Sequence, residues 1–261
     1  MSKVVTDNKH YSDIAEAIRS KGVEGRFKPA EMAGAIETIP SGGAEITDGI
    51  VIKARRTDGY ITEVDFYGEV VPPRCFGYPT ANGSPFGRYL TTINLKNNIK
   101  SIQNGAFAMC TELTSLPNEL LSVQAIEQQA FWGCKNLVGS YTFPNITTLN
   151  SYIFRDCLKI DELHFPKVTV INSVSGYGKK LTVGSIGNGV TSMRYDWLQY
   201  NGVLTDLTIF CIGSKVDGYL TDSRRYPGGA TAKIIFKASE DTTYNGVSYS
   251  AGETMLTSEV A

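Results

Sequence analysis

The amino-acid sequence predicts an α+β repeat fold: a solenoid on a parallel β-sheet with irregular return segments, a small N-terminal helical hairpin and a C-terminal β-hairpin cap. Three observations predict it. The blocks Ala106-Phe107-Ala-Met-Cys110, Ala130-Phe131-Trp-Gly-Cys134 and Ile153-Phe154-Arg-Asp-Cys157 place their phenylalanines 24 and 23 residues apart, and their cysteines likewise. An aliphatic residue stands five positions before each phenylalanine (Ile102, Ile126, Leu149), and the series runs on at similar pitch through Ile171 and Met193. A second aliphatic series, Leu113, Leu137, Ile160, Leu181 and Leu204, follows in its own register. Two agreeing series at fixed pitch are the mark of stacked repeats.

A unit of this length holds one short strand and one return segment, and neither buries its apolar side alone. Stacking units about 4.8 Å apart lays the Leu, Ile, Phe and Cys of each turn over those of the last. Phe76, Phe107, Phe131 and Phe154, with Cys110, Cys134 and Cys157, are therefore the expected core ladder.

Residues 1–43 form a separate helical module and linker. Ile14, Ala17 and Ile18 have helical spacing, a break follows at Gly22 to Gly25, Pro29 suits a first helical turn, and Pro40-Ser-Gly-Gly43 ends the module. The solenoid is assigned to 44–238. It opens with a hairpin, because Asp58-Gly59 lies between Ile50-Val-Ile-Lys-Ala54 and Tyr60-Ile-Thr-Glu-Val64. Looser turns follow at Ile61 to Phe76 and Leu90 to Ile102, separated by a Gly- and Pro-rich insertion near Gly77 to Gly87 that reads as a surface loop. Past Phe154 no further Phe-x-x-Cys occurs, so the C-terminal turns are expected to be irregular. Lys233-Ile-Ile-Phe236 reads as a strand, and residues 239–261 as a hairpin, Tyr244-Asn-Gly-Val-Ser-Tyr249, and tail.

The spacing L-x-x-L-x-L/F-P followed by I-x-x-x-x-F-x-x-C is cleanest at Ile160-Asp-Glu-Leu163-His-Phe165-Pro166. It resembles the BspA-like, or Treponema pallidum type, leucine-rich repeat over residues 60 to about 210. The resemblance implies a leucine-rich-repeat solenoid and a role in attachment to host proteins and cells. The strings Tyr11-Ser-Asp-Ile-Ala-Glu-Ala-Ile-Arg-Ser-Lys-Gly22 and Phe27-Lys-Pro-Ala-Glu-Met-Ala-Gly-Ala-Ile36 are similar to a short module of tail-associated proteins of phages and prophages of Gram-positive bacteria. A plain helical cap over the first turn is the alternative.

Composition narrows the partners. Across 261 residues, 25 Lys plus Arg face 26 Asp plus Glu, and a net charge of −1 gives no field to attract a polyanion such as nucleic acid. No apolar run approaches the ~20 residues of a membrane span, and the start, MSKVVTDNKHYSDIAEAIRS, lacks a secretory apolar stretch. Five cysteines, three at one repeat position, read as buried structural thiols, because sulfurs on separate rungs do not converge on a metal and no C-x-x-C occurs. Of the two histidines, His10 lies in the N-terminal tail, and His164, between two core positions, points outward with Asp161 and Glu162 nearby. Gly176-Tyr-Gly-Lys-Lys180 does not complete a phosphate loop. No catalytic, cofactor-binding or metal residue is assigned.

The surface remains. Glu63, Asp65, Thr92, Asn94, Ser115, Thr142, Glu162, His164, Asp206 and Thr208 alternate with core positions and form the expected partner-binding face, polar and slightly acidic. Loop aromatics, Tyr78, Phe86, Tyr89, Tyr195, Trp197, Tyr200, Tyr219 and Tyr226, are a second candidate. The expectation is a non-enzymatic structural or recognition protein of a phage or prophage tail, made in the bacterial cytoplasm, whose helical module holds other virion proteins while the solenoid binds a protein or cell-surface glycan. The alternative is a BspA-like adhesin on the bacterial surface. A glycan-acting enzyme is a third reading, disfavoured because no paired carboxylates stand in a recognisable setting. Homo-oligomerisation is left open.

Overall fold

A computed structural model of the chain describes residues 46–47, 50–77, 87–95, 99–116, 120, 122–172, 178–194, 204–221 and 232–260. The predicted helical module of residues 1–43 lies outside the described residues.

The described rungs carry two strips of sheet, a wide one and a narrow one. The wide strip opens with β1 (Ile46–Thr47), β2 (Ile50–Arg55) and β3 (Ile61–Phe66), each antiparallel to the one before, and β5 (Thr92–Leu95) joins β3 in parallel. Gly59, at φ 87°, makes the β2–β3 turn, where Arg56 N donates to Tyr60 O at 2.8 Å. The strip crosses the next rung without a regular strand: Thr114 N donates to Thr91 O (3.4 Å) and Val138 N to Thr114 O (3.0 Å). It resumes as β8 (Gly139–Thr142), β10 (Ile160–Phe165), β12 (Lys180–Val183), β14 (Asp206–Cys211) and β15 (Ala232–Ala238), all parallel, and closes with β18 (Thr254–Val260) antiparallel to β15.

The narrow strip consists of two-residue parallel strands: β4 (Val70–Val71), β6 (Ser101–Ile102) and β7 (Ala125–Ile126), then β9 (Thr148–Leu149), β11 (Val170–Ile171) and β13 (Ser192–Met193). Each ends on the aliphatic residue of the first periodic series. Val71, Ile102, Ile126, Leu149 and Ile171 are buried, and Met193 is partly so. One buried residue per strand is all the narrow strip needs, because the chain turns into the next corner immediately afterwards.

Between the strips the core is a column of rings. Phe76 stacks on Phe107 at 5.2 Å between centroids, Phe107 on Phe131 at 5.1 Å and Phe131 on Phe154 at 5.0 Å, with interplanar angles of 13°, 0° and 5°. A second stack, Phe143 on Phe165 at 5.1 Å, leans against the first through Phe143 and Phe154. The cysteines lie beside the column. Cys110 Sγ donates to Phe76 O (3.4 Å), Cys134 Sγ to Phe107 O (3.2 Å) and Cys157 Sγ to Phe131 O (3.0 Å). Burial pushes these thiols well up from their ordinary range, which keeps them protonated as donors.

The corner carrying each phenylalanine has a left-handed residue before the ring, and those of Phe107, Phe131 and Phe154 have another after it. Two residues before the ring stand Arg74, Gly105, Gln129 and Tyr152, at φ 55°, 62°, 62° and 63°; two after it stand Met109, Gly133 and Asp156, at 66°, 75° and 64°. This conformation aims successive amides at the next rung, so that Phe131 N donates to Ile153 O at 2.9 Å and Gly133 N to Arg155 O at 2.7 Å. A β-carbon there costs roughly 1–2 kcal/mol. Gln129→Gly keeps the backbone bonds and removes that cost, so the variant is expected to gain about 0.5–1 kcal/mol after the extra unfolded-state entropy of glycine is subtracted. Chemical denaturation checks it, and a loss of stability would contradict the assignment.

The turns after Phe154 are not irregular throughout, as the sequence suggested. Their strands hold strict parallel register from β10 through β15, and the return segments are what change. One return contains a 3-10 turn, Gly213–Lys215, and a short helix, Val216–Thr221. The C-terminal hairpin, β16 (Thr242–Tyr244) with β17 (Val247–Tyr249), turns through Asn245 and Gly246 at φ 49° and 77°, as a two-residue hairpin loop requires. It seats on that return: Gly213 N donates to Thr242 Oγ1 (3.1 Å), and a β-carbon on Gly213 would lie 2.1 Å from Thr243 O. The final segment is a paired strand, β18, where the sequence reading had only a tail.

Candidate binding surface

Parallel register lines up the outward side chains of the wide strip into rows. One row runs Glu162, Lys180, Asp206, Lys233 and, across the antiparallel edge, Glu259. The adjacent row runs Thr142, His164, Thr182, Thr208, Ile235 and Thr257. Between them the inward residues Leu163, Leu181, Leu207 and Ile234 are buried, so the rows belong to the face that the core leaves free.

Of the predicted face residues, Thr142, His164 and Thr208 thus fall in one row, and Glu162 and Asp206 in the other. Glu63 pairs with Thr92 near the opening, and Ser115 is exposed on the rung that lacks a regular strand. Asp65 is a correction. Expected in solvent, it is 4% exposed, and its carboxylate accepts a hydrogen bond from Asn94 Nδ2 at 2.8 Å. Its cross-strand neighbour Val51 is also buried, so both faces of the opening hairpin are covered and alternation there no longer separates core from solvent.

The second correction concerns charge. Lys180 and Lys233 interleave with Glu162, Asp206 and Glu259, so the row alternates in sign rather than being slightly acidic. Cross-strand pairs of opposite charge contribute roughly 0.2–1 kcal/mol each. Parity with the buried Leu181 and Ile234 was the signal for both lysines.

His164 Nε2 lies 3.1 Å from Glu162 Oε1, with both side chains 38% exposed. Asp161 is held instead by Lys179 Nζ at 2.7 Å. This is an open pair on a flat sheet, without the enclosure that strengthens acid–base chemistry. Among the described residues no group of three or more His, Cys, Asp or Glu could hold a metal ion. Cys211 is buried and pushed up to about 12, while Cys75 is partly exposed.

The loop aromatics divide. Tyr219 is buried on the short helix, where its hydroxyl donates to Val190 O at 3.1 Å and burial pushes it up to about 12, so it serves packing. Tyr89 is half-buried, its ring 4.4 Å from that of the more exposed Tyr60. Tyr78, Phe86, Tyr195, Trp197, Tyr200 and Tyr226 lie outside the described residues. A surface aromatic outside that group is Trp132, on the corner ridge, whose Nε1 donates to Asp156 Oδ2 at 2.9 Å while Arg155 sits 5.8 Å from its ring.

Neither the curated proteins nor the solved structures gave a match to the chain. A family model does match, that of the BspA type leucine-rich repeat region, in six copies over residues 86–205. Residues 86–205 thus match the BspA type leucine-rich repeat in sequence, and the stacked rings and parallel strands described within that stretch agree with such a repeat.

Proposed function

We propose that the chain is a non-enzymatic binding scaffold that engages a protein or cell-surface glycan through the outer face of its wide strip. The observation that carries this reading is the pair of side-chain rows above. Residues distant in sequence are held in fixed register on strands whose opposite side is core. Such a face is preorganised, so contact there loses little conformational entropy. The sign-alternating row adds specificity for a partner of matching pattern.

The finer location is a phage or prophage tail, with virion proteins held by residues 1–43, and what supports it is the sequence of residues 11–36. A cell-surface adhesin is the second reading, favoured by the BspA-type repeats.

The experiment is binding of the full chain to intact Gram-positive cells, compared with the variant Glu162→Ala, His164→Ala, Thr182→Ala, Thr208→Ala. The four side chains face away from the core, so the variant is expected to stay folded, with a melting temperature lowered only modestly by the lost cross-strand pairs, and to lose binding about tenfold, near 1.4 kcal/mol. Undiminished binding refutes the assignment of this face. New reducing ends released from wall polysaccharide would make the protein an enzyme instead.

A further inference from the structure

The geometry points to a second docking site at the opening of the solenoid, where Tyr60, Tyr89, Arg56 and Arg88 would hold an acidic polysaccharide bearing carboxylate-substituted sugars. The cluster stands at the strand-start edge, outside the two rows of the wide strip, and its test is independent of theirs.

Tyr60 leaves the β2–β3 turn and Tyr89 ends the short 3-10 turn Gly87–Tyr89, which brings their rings to 4.4 Å at 43°. Two guanidinium groups converge on the Tyr89 ring, Arg56 Cζ at 4.5 Å and Arg88 Cζ at 4.8 Å from its centroid. Each guanidinium is drawn to the face of that ring. Asp58 pairs with Arg56, its carboxylate taking Nε and Nη2, both at 3.2 Å, whereas Arg88, whose proton is held first by the Tyr89 hydroxyl, meets the Glu112 carboxylate only through longer-range attraction. Arg88 donates to Tyr89 Oη at 2.7 Å and has no ion pair within 4.0 Å among the described residues. A guanidinium carries five N–H donors, so Arg88 keeps a planar fork for a carboxylate.

The aromatic half of the cluster selects the kind of anion. Tyr60 is 41% exposed, so part of its ring is open to solvent beside the two arginines. A partly open ring next to a fork that takes a carboxylate fits a sugar whose C–H groups pack on the ring while its carboxylate is bound. An acidic peptide would use the arginines and leave Tyr60 idle. Both arginines are preset, Arg56 by Asp58 and Arg88 by the tyrosine hydroxyl, so little ordering remains to oppose binding. A single such contact is weak, and a polymer that repeats the acidic sugar raises the effective concentration at the site.

The test uses the full chain and three fluorescent probes in anisotropy titrations: an oligogalacturonate, a neutral dextran and a poly-glutamate of matched charge. Binding is expected for oligogalacturonate, weakening as salt rises, and not for dextran. Tyr60→Ala and Arg88→Gln are each expected to weaken it at least about tenfold with the circular dichroism spectrum unchanged. Arg88→Lys, which keeps the charge but not the fork, should fall between. Three results would overturn the site: no oligogalacturonate binding, binding that neither substitution weakens, or equally tight poly-glutamate binding that Tyr60→Ala weakens as much. The last would give the cluster to acidic peptides. Loss of this site with retained cell binding would leave the wide-strip reading standing.

Discussion

Phe131→Ala is expected to destabilise the protein by about 3–5 kcal/mol and to loosen the rungs on either side of it. Phe131 is fully buried and is stacked on both faces, by Phe107 at 5.1 Å and Phe154 at 5.0 Å. Burial of the ring contributes roughly 1.5–3 kcal/mol, and each aromatic contact about 0.5–1.5 more. Truncation also leaves a void that the rigid corners cannot close, because the Phe131 amide is tied to Ile153 O and its carbonyl accepts the Cys157 thiol. A solenoid adds stability between nearest neighbours, so damage at a central rung weakens two interfaces. Among the described residues Phe76 stacks in parallel on Phe107 and meets Phe66 at its edge, so Phe76→Ala is also expected to destabilise the protein. Urea denaturation of both variants checks this. An unchanged midpoint for either variant would contradict the column.

Removal of residues 251–261 is expected to lower the melting temperature and to cause association at high concentration. β18 covers the edge of β15 over six registered pairs from Ala232↔Val260 to Lys237↔Thr254, and it buries Met255 in the core. Burying the methionine contributes about 1.5–3 kcal/mol, and each ladder hydrogen bond about 0.5–1.5. The exposed strand, Ala-Lys-Ile-Ile-Phe-Lys-Ala, would then be an unpaired edge rich in β-forming residues. Lys233 and Lys237 would resist edge-to-edge pairing, so association should sharpen as salt screens them. Sedimentation velocity at two salt concentrations reads the result, and a truncated chain that stays monomeric with an unchanged melting temperature would show β18 to be dispensable.

What could be read from the sequence was whatever repeats with a side chain attached. Phe107, Phe131 and Phe154 recur at fixed pitch because identical rungs need identical rings, and the aliphatic residues before them mark the narrow strip. Asn245-Gly246 announced its hairpin because few residues accept two positive φ angles in succession. Backbone devices were silent. The left-handed corners fall on Gln129, Tyr152, Met109 and Asp156 as well as on Gly105 and Gly133, so no residue pattern records them. The second ring stack was hidden because Phe143 follows β8, Gly-Ser-Tyr-Thr, which lacks the aliphatic alternation of β10. Tyr141 takes the inward place there, its hydroxyl accepting from Leu116 N at 3.1 Å and donating to Val138 O. β18, Thr-Met-Leu-Thr-Ser-Glu-Val, shows one buried residue and passed for a tail. On the candidate surface, parity found His164 and Thr208 but failed at Asp65, where a second covered face cancels the contrast on which parity depends.

Amide hydrogen exchange along the full chain tests the continuous column most directly. The account predicts one gradient, with the slowest amides at Phe107, Phe131, Gly133 and Phe143 in the central rungs and faster exchange toward both β2 and β18. Two separately protected blocks, divided by fast-exchanging amides anywhere between Gly105 and Ile160, would contradict it.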